Sequence, residues 1–341
     1  MIAASGQIDL QVIYLHRTAP HRLWKRVPIA HKAEFLDETP RHFAKVYKTM
    51  LNADLAIFNY YAERSAIQFL NARAEDCKPW CYWGERPGFH KPTWMGRLLR
   101  RWKLARLHST QAPIWGIGQF ALDGYQSEFG QNREYYNLPY FSNLERFRTN
   151  GILRKTNGER VILFSGSLIH RKGVDLLARA FVRLAGEVPN VRLRLMGEGN
   201  LRNSLMKTLQ PVKDRVEFLG FKDWSELPAC YAAADVLCVP SRYDGWGLVV
   251  PEGLAAGLPV IGTDRMGAAI EFIQTGHNGW LTKAGSEDSL LAALREAVTL
   301  PSENIAERSL RAQESVSEHT LNHGAERLIR AAQGVVRNWE G

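Results

Sequence analysis

The sequence predicts an α/β protein built as two Rossmann-like lobes facing a cleft. Three observations predict it. Apolar, strand-like runs alternate with segments of helical period along both halves, the pattern of a parallel, doubly wound sheet. The 341 residues are enough for two domains, each burying its own core. Between the halves, residues 148–160 are polar and carry the turn signals Asn150-Gly151 and Asn157-Gly158. The expected layout is therefore a first lobe over 1–147, a second over 160–320 and a final helical segment over 321–341.

In order along the first half, residues 8–15 (IDLQVIYL) read as a strand, 42–51 as a helix, 54–60 as a strand and 62–72 as a helix. A strand at 79–83 runs into the loop WGERPG, which places Glu85 and Arg86 just past a carboxyl end, where such sheets bind ligands. Glu85 either faces a ligand there or forms a solvated pair with Arg86. Residues 94–107, WMGRLLRRWKLARL, carry Trp94, Leu98, Trp102 and Ala105 at helical spacing, with Arg97, Arg100, Arg101, Lys103 and Arg106 on the remaining faces before Leu107. Such a helix either lies in an anionic membrane interface or packs its apolar stripe on its own sheet and leaves a solvated basic face. A strand at 113–118 and a helix to about 129 complete the lobe.

The second half is more regular. Residues 161–166 (VILFSG) are a strand, followed by the turn SGSLIHRKG and a helix over 174–187. Strands follow at 191–196, running into Gly197-Glu198-Gly199, at 216–221 and at 235–239; a short strand is expected at 278–282 and helices through much of 287–339. Between them stands CVPSRYDGWGLVVPEGLAAGLPVI, from Cys238 to Ile261: a strand, a turn built on Gly245 and Gly247, a helix bearing Glu252, a stop at Gly257 and another strand. Glycines let the backbone approach a ligand closely, and the helix they open favours anions and hydroxyls. Asp244 and Glu252, with seven residues between them, flank this turn and can face one crevice.

This stretch resembles the acid-x7-acid signature of retaining glycosyltransferases of the GT-B fold, family 4 (glycosyl transferases group 1), whose usual form has Glu at both ends where this chain has Asp244 at the first. The resemblance covers about 161–300 well and the first half weakly. It implies transfer of a sugar from a nucleotide-diphosphate sugar to an acceptor hydroxyl with retained anomeric configuration, in cell-surface polysaccharide, lipopolysaccharide or lipid-linked glycan biosynthesis, with no cofactor and no metal. It implies that Lys172 binds the donor phosphates beside Gly166, and that Arg171 supplies the charge of an arginine replaced here by Ser167. Unit charges a few ångströms apart and partly buried interact by roughly 4 kcal/mol before desolvation. It further implies that Gly197, Glu198 and Gly199 form the turn near the nucleotide, that Phe221 lies next to the base, and that Glu252 takes both ribose hydroxyls. Asp244, with the amides of Gly245, Trp246, Gly247 and Leu248, is expected at the donor sugar and its phosphate. Asp244, Lys172 and Glu85 are the catalytic candidates, Glu85 on the acceptor side. Family members usually open one strand earlier, with a glycine-rich loop of the acceptor site that this sequence lacks, and their last helix crosses back to the first lobe, as 321–339 can here.

Composition narrows the alternatives. Residues 1–150 hold 21 Lys/Arg against 13 Asp/Glu, an excess of +8, which leaves +1 to the remainder. A negatively charged partner is thus expected at the first lobe, and nucleic acid is not, because no recognised binding motif accompanies the basic residues. No apolar run approaches the roughly 20 residues of a spanning helix, and no charged-then-apolar leader opens the sequence; the expectation is a cytoplasmic protein, with peripheral attachment at the inner membrane face as the alternative. Cys77, Cys81, Cys230 and Cys238 lack zinc-site spacing and read as free thiols. Two other functions remain open at this stage: a GT-B phosphorylase or epimerase, and a non-catalytic glycan-binding or membrane-tethering protein.

Overall fold

The computed structural model describes residues 1–16, 29, 31–36, 40–59, 61, 63–88, 93–148 and 158–339. It is α/β throughout and divides into two compact units, Met1–Pro139 with Leu321–Gly341, and Tyr140–Thr320.

In the first unit, β1 (Gln11–Tyr14) pairs in parallel with β2 (Lys32–Phe35), and α1 (Pro40–Asn52) follows. Then come β3 (Ala56–Phe58), α2 (Arg64–Glu75), β4 (Trp80–Gly84), α3 (Thr93–Lys103), α4 (Ala105–Ser109), β5 (Ile114–Gly116), α5 (Gln119–Phe129) and β6 (Tyr135–Asn137). The strands β3-β4-β5-β6 form a parallel sheet in that order. Neither β2 nor β6 is expected from the sequence: KAEF and YYN are too short to show a period of their own, and pairing with a neighbour makes them strands. The expected helix over 94–107 is broken at buried Leu104, whose φ of −110° and ψ of 33° separate α3 from α4. The sheet buries Trp80, Tyr82, Ile114 and Phe69.

One buried cation holds this unit together. Arg73, on α2, is fully inaccessible, and its guanidinium donates to the carbonyls of Leu51 at 2.8 Å, Ala53 at 2.6 Å, Asp54 at 3.1 Å and Pro79 at 2.9 Å. These carbonyls end α1 and precede β4; that of Pro79 also accepts from the Ala56 amide of β3 at 3.1 Å and that of Leu51 from Lys78 Nζ at 3.0 Å, so one buried side chain ties both connections together.

In the second unit, β7 (Arg160–Ser165), α6 (Val174–Glu187), β8 (Val191–Met196), α7 (Arg202–Thr208), β9 (Val216–Gly220) and α8 (Leu227–Ala232) make one run. A second run consists of β10 (Val236–Cys238), α9 (Val249–Ala255), β11 (Val260–Thr263), α10 (Gly267–Phe272), β12 (Gly279–Thr282), α11 (Glu287–Thr299) and α12 (Ser302–Ser315). All six strands are parallel, in the order β12-β11-β10-β7-β8-β9. A parallel strand covered on both faces reads as an unbroken apolar run, which is why Ile162, Leu163 and Phe164 are legible in the sequence, while β8 (VRLRLM) shows instead as an alternation of buried Val191, Leu193 and Leu195 with Arg192 and Arg194.

The units divide at 139/140, ahead of the boundary at 148–160 expected from turn signals, most of which lies outside the described residues. Buried Phe147 packs its ring 5.1 Å from that of Tyr231, which fixes 140–147 to the second unit. The last helix, α13 (Leu321–Arg337), belongs to the first unit, where Ala331, Ala332 and Val335 pack on Cys81, Trp115 and Leu138. Among the described residues no helix is long and apolar enough to cross a membrane.

Removing the Arg73 guanidinium takes a donor from the Leu51, Ala53, Asp54 and Pro79 carbonyls at once and unties the two connections. Arg73→Met is therefore expected to lower stability by about 3–4 kcal/mol, read as a shift of the urea midpoint at unchanged slope.

Candidate functional site

The chain leaves β7 toward β8 and β9, and leaves β10 in the opposite direction toward β11 and β12. Where the order of a parallel sheet reverses in this way, loops at the carboxyl ends part and leave a crevice. Both the candidate cations and the first candidate acid sit on the two loops that flank this point.

The β7 loop ends in a single helical turn, His170–Lys172, and then Gly173, whose φ of 68° is readily adopted only by glycine. Glycine is needed for space too: a Cβ there would fall 1.9 Å from the carbonyl oxygen of Pro240, on the β10 loop. The two backbones touch, and the Arg242 amide donates to the Arg171 carbonyl at 2.9 Å. With the loops so joined, the Lys172 ammonium pairs with the Asp244 carboxylate, and Arg171 Nη1 lies 3.5 Å from its other oxygen. The lysine and the aspartate are both largely buried. Behind them Arg242 donates to both Asp175 oxygens at 2.7 Å and to the His170 carbonyl at 2.6 Å. Burial pushes the Asp175 carboxyl up, but the hydrogen bonds and charge of Arg242 outweigh it and leave the group below its ordinary value.

The turn after β8 packs on the same loop. A Cβ on Gly197 would lie 2.0 Å from the Gly166 oxygen, and one on Gly199 would lie 2.4 Å from that of Leu168. Glu198 accepts through its carbonyl from the Leu168 amide at 2.9 Å, while its carboxylate pairs with Arg202 at 3.0 Å on α7. Ser167 is exposed between Gly166 and buried Leu168, and Phe221 follows Gly220 at the carboxyl end of β9.

Glu252 belongs to a neighbouring cluster. Its Oε2 lies 3.2 Å from the Tyr231 hydroxyl, which is also 3.1 Å from Ser165 Oγ at the end of β7. Tyr231 has one proton, so it donates to Glu252 when the acid is ionised and accepts from Ser165. Burial pushes the Glu252 carboxyl up to about 7, against the Tyr231 hydrogen bond and the charge of Arg146. The Arg146 guanidinium is centred 3.2 Å above the Trp224 ring. Ser165 and Gly166 join the two clusters, since the position of a Gly166 Cβ is 4.0 Å from Lys172 Cδ.

The structure thus brings Lys172, Arg171 and Asp244 into contact, and sets Gly166, Gly197, Glu198 and Gly199 beside them. Trp246 is expected to act through its amide, and its side chain is turned inward. Its indole is buried, with the ring 5.8 Å from that of Phe272, so only its main chain is available to a ligand. The sharp turn requires this: Gly247 has φ of 91° over Met266, and a Cβ on Gly267 would meet the Gly245 oxygen at 2.5 Å. Leu248 is exposed just before α9. Glu85 lies in the first unit, exposed at the end of β4, its carbonyl accepting from Tyr125 at 2.8 Å. Sequence reasoning missed Arg146, Tyr231 and Trp224, which carry no motif and come together only through tertiary packing.

Residues 146–314 match the family described as glycosyl transferases group 1. A GDP-mannose-dependent monoacylated alpha-(1-6)-phosphatidylinositol monomannoside mannosyltransferase of Corynebacterium glutamicum is 27% identical over 228 residues, covering 62% of this chain and 59% of the relative. An uncharacterised glycosyltransferase of Methanocaldococcus jannaschii is 35% identical over 134 residues, 39% of this chain and 34% of the relative. The chain therefore spans less than two thirds of the length of either curated relative. Among solved structures, HepE of Anabaena in complex with UDP superposes with a TM-score of 0.74 at 18% identity, covering 89% of this chain and 86% of that one. Residues 146–314 thus belong to the glycosyl transferases group 1 family, and the chain has a GT-B fold.

Proposed function

We propose that the protein is a retaining glycosyltransferase that moves a sugar from a nucleotide-diphosphate sugar to an acceptor hydroxyl in cell-surface polysaccharide or lipid-linked glycan biosynthesis. The observation that carries the proposal is the convergence of Lys172 and Arg171 on Asp244 at the carboxyl edge where the strand order reverses. The names of similar proteins agree with it: one uses GDP-mannose on a phosphatidylinositol mannoside, and one was solved with UDP.

In this reading the β7 loop receives the diphosphate. The bond from the anomeric carbon to the phosphate oxygen breaks, the bond to the acceptor oxygen forms on the same face, and the acceptor proton leaves with the departing phosphate. Negative charge grows on the diphosphate, and Lys172 and Arg171 supply the countercharge in a partly desolvated site, which is electrostatic stabilisation that needs no metal ion. Asp244 holds both cations in place and faces the sugar; the closely packed turns at Gly166 and Gly197 admit the phosphates to main-chain distance. Glu252 accepts from the ribose hydroxyls, Phe221 borders the base, and Glu85 serves the acceptor side.

Lys172→Ala and Glu252→Ala are each expected to lower donor-dependent transfer about a hundredfold, near 2.7 kcal/mol; wild-type rates in both would remove the assignment. The protonation of Glu252 adds a second test. Its folded carboxyl binds a proton more tightly than an unfolded one, so its contribution to stability is present at acid pH and is lost as pH rises through about 7. Glu252→Gln is thus expected to be more stable than wild type at about pH 8, by roughly 1–3 kcal/mol. Ribose hydroxyls need the ionised acceptor, so calorimetric affinity for nucleoside diphosphates is expected to fall about tenfold from about pH 8 to about pH 6, and Glu252→Gln should abolish that dependence.

A further inference from the structure

Helix α3 is amphipathic in the reverse sense for a surface helix. Its face toward the rest of the unit holds buried Gly96 and Arg100, and Arg100 is neutralised there by Glu128 of α5, with Nη2 to Oε2 at 2.6 Å and Nε to both oxygens at 2.9 Å. The outward face holds Trp94, Met95, Leu98, Leu99 and Trp102, with Trp94 66%, Leu98 61% and Trp102 74% exposed. At about 100° per residue these five side chains fill an unbroken arc of roughly 140°. Of the two arrangements open to the sequence, the one in which this stripe packs on its own sheet is the one the structure contradicts. The inward face is given instead to a buried ion pair, and Gly96 leaves room for the Arg100 side chain, since a Cβ there would lie 3.1 Å from Arg100 Nη1.

We infer that this face of α3 docks the protein on an anionic lipid surface, with the helix lying in the interfacial plane. Continuous apolar arcs of this size on a soluble surface mark contact with another phase or molecule. The choice of a bilayer rests on the edges of the stripe. Exposed Arg97 and Arg101 lie together along one side, the arc itself contains no polar residue, and the sequence has no Asp or Glu from 86 to 122. A tryptophan stands at each end, and aromatic rings of this kind favour the boundary between head groups and chains. A strip that is apolar along its centre and cationic at its margin matches a surface that is apolar inside and anionic outside. The inference concerns the first unit alone and stands independently of the donor site.

The test is sedimentation of the full chain with phosphatidylcholine vesicles, with and without phosphatidylglycerol. Binding is expected only with the anionic lipid and should weaken as salt rises. Arg97→Gln with Arg101→Gln is expected to lower the partition coefficient about twentyfivefold, at about fivefold per arginine. Leu98→Asp with Trp102→Asp should abolish binding while thermal unfolding and nucleotide affinity stay unchanged. Full recovery in the supernatant at low salt, or equal binding by both double variants, would overturn the inference. So would a lipid-free dimer, seen by analytical ultracentrifugation, that Leu98→Asp with Trp102→Asp converts to monomer, because the stripe would then belong to a second copy of the chain.

Discussion

The contact of Gly173 with the Pro240 carbonyl, and the ion pair of Lys172 with Asp244 beside it, join two loops that the sheet topology sends in opposite directions. Most of the geometry of the candidate site depends on this junction. A side chain at Gly173 would separate the loops; separated loops would leave Lys172 and Asp244 as isolated charges near a desolvated surface, which is costly for each. The same economy of space recurs where Gly197 and Gly199 lie against the Gly166 and Leu168 carbonyls. Glycine is used here because backbone must pass next to backbone, and a crevice built from backbone can meet phosphate oxygens with main-chain amides.

Glu252 shows the opposing side of the same design. A carboxyl pushed up to about 7 is held at the expense of stability, with one phenol and one guanidinium as partial compensation. In a purely structural position a glutamine or a leucine would pack as well without the desolvation penalty. The buried acid is accounted for if ligand hydroxyls complete its hydrogen bonds, which ties a local instability to the binding step.

The first unit handles buried charge in two ways. Arg73 is satisfied by carbonyls alone and closes two connections. Arg100 is satisfied by Glu128, and this pairing turns α3 so that its apolar residues face outward. In both cases a charged residue occupies the place where a periodic reading would put a leucine, and the surrounding elements are arranged about it.

Much of the second unit was legible in the sequence. Strands buried on both faces appear as apolar runs, and the glycines mark strand-to-helix turns. These are local properties, decided within a few residues by sterics and burial. Three-residue β6 and four-residue β2 were not legible, because only a neighbouring strand makes them strands. Nor was the inward turn of Trp246, which follows from the tight packing of Gly247 and Gly267. Tertiary structure alone decided that Lys172 meets Asp244 across 72 residues, that Tyr231, Ser165 and Arg146 surround Glu252, and that α3 presents its apolar arc to the outside. Helical period tells which residues share a face, but which face is buried depends on partners elsewhere in the chain, here a single glutamate on α5.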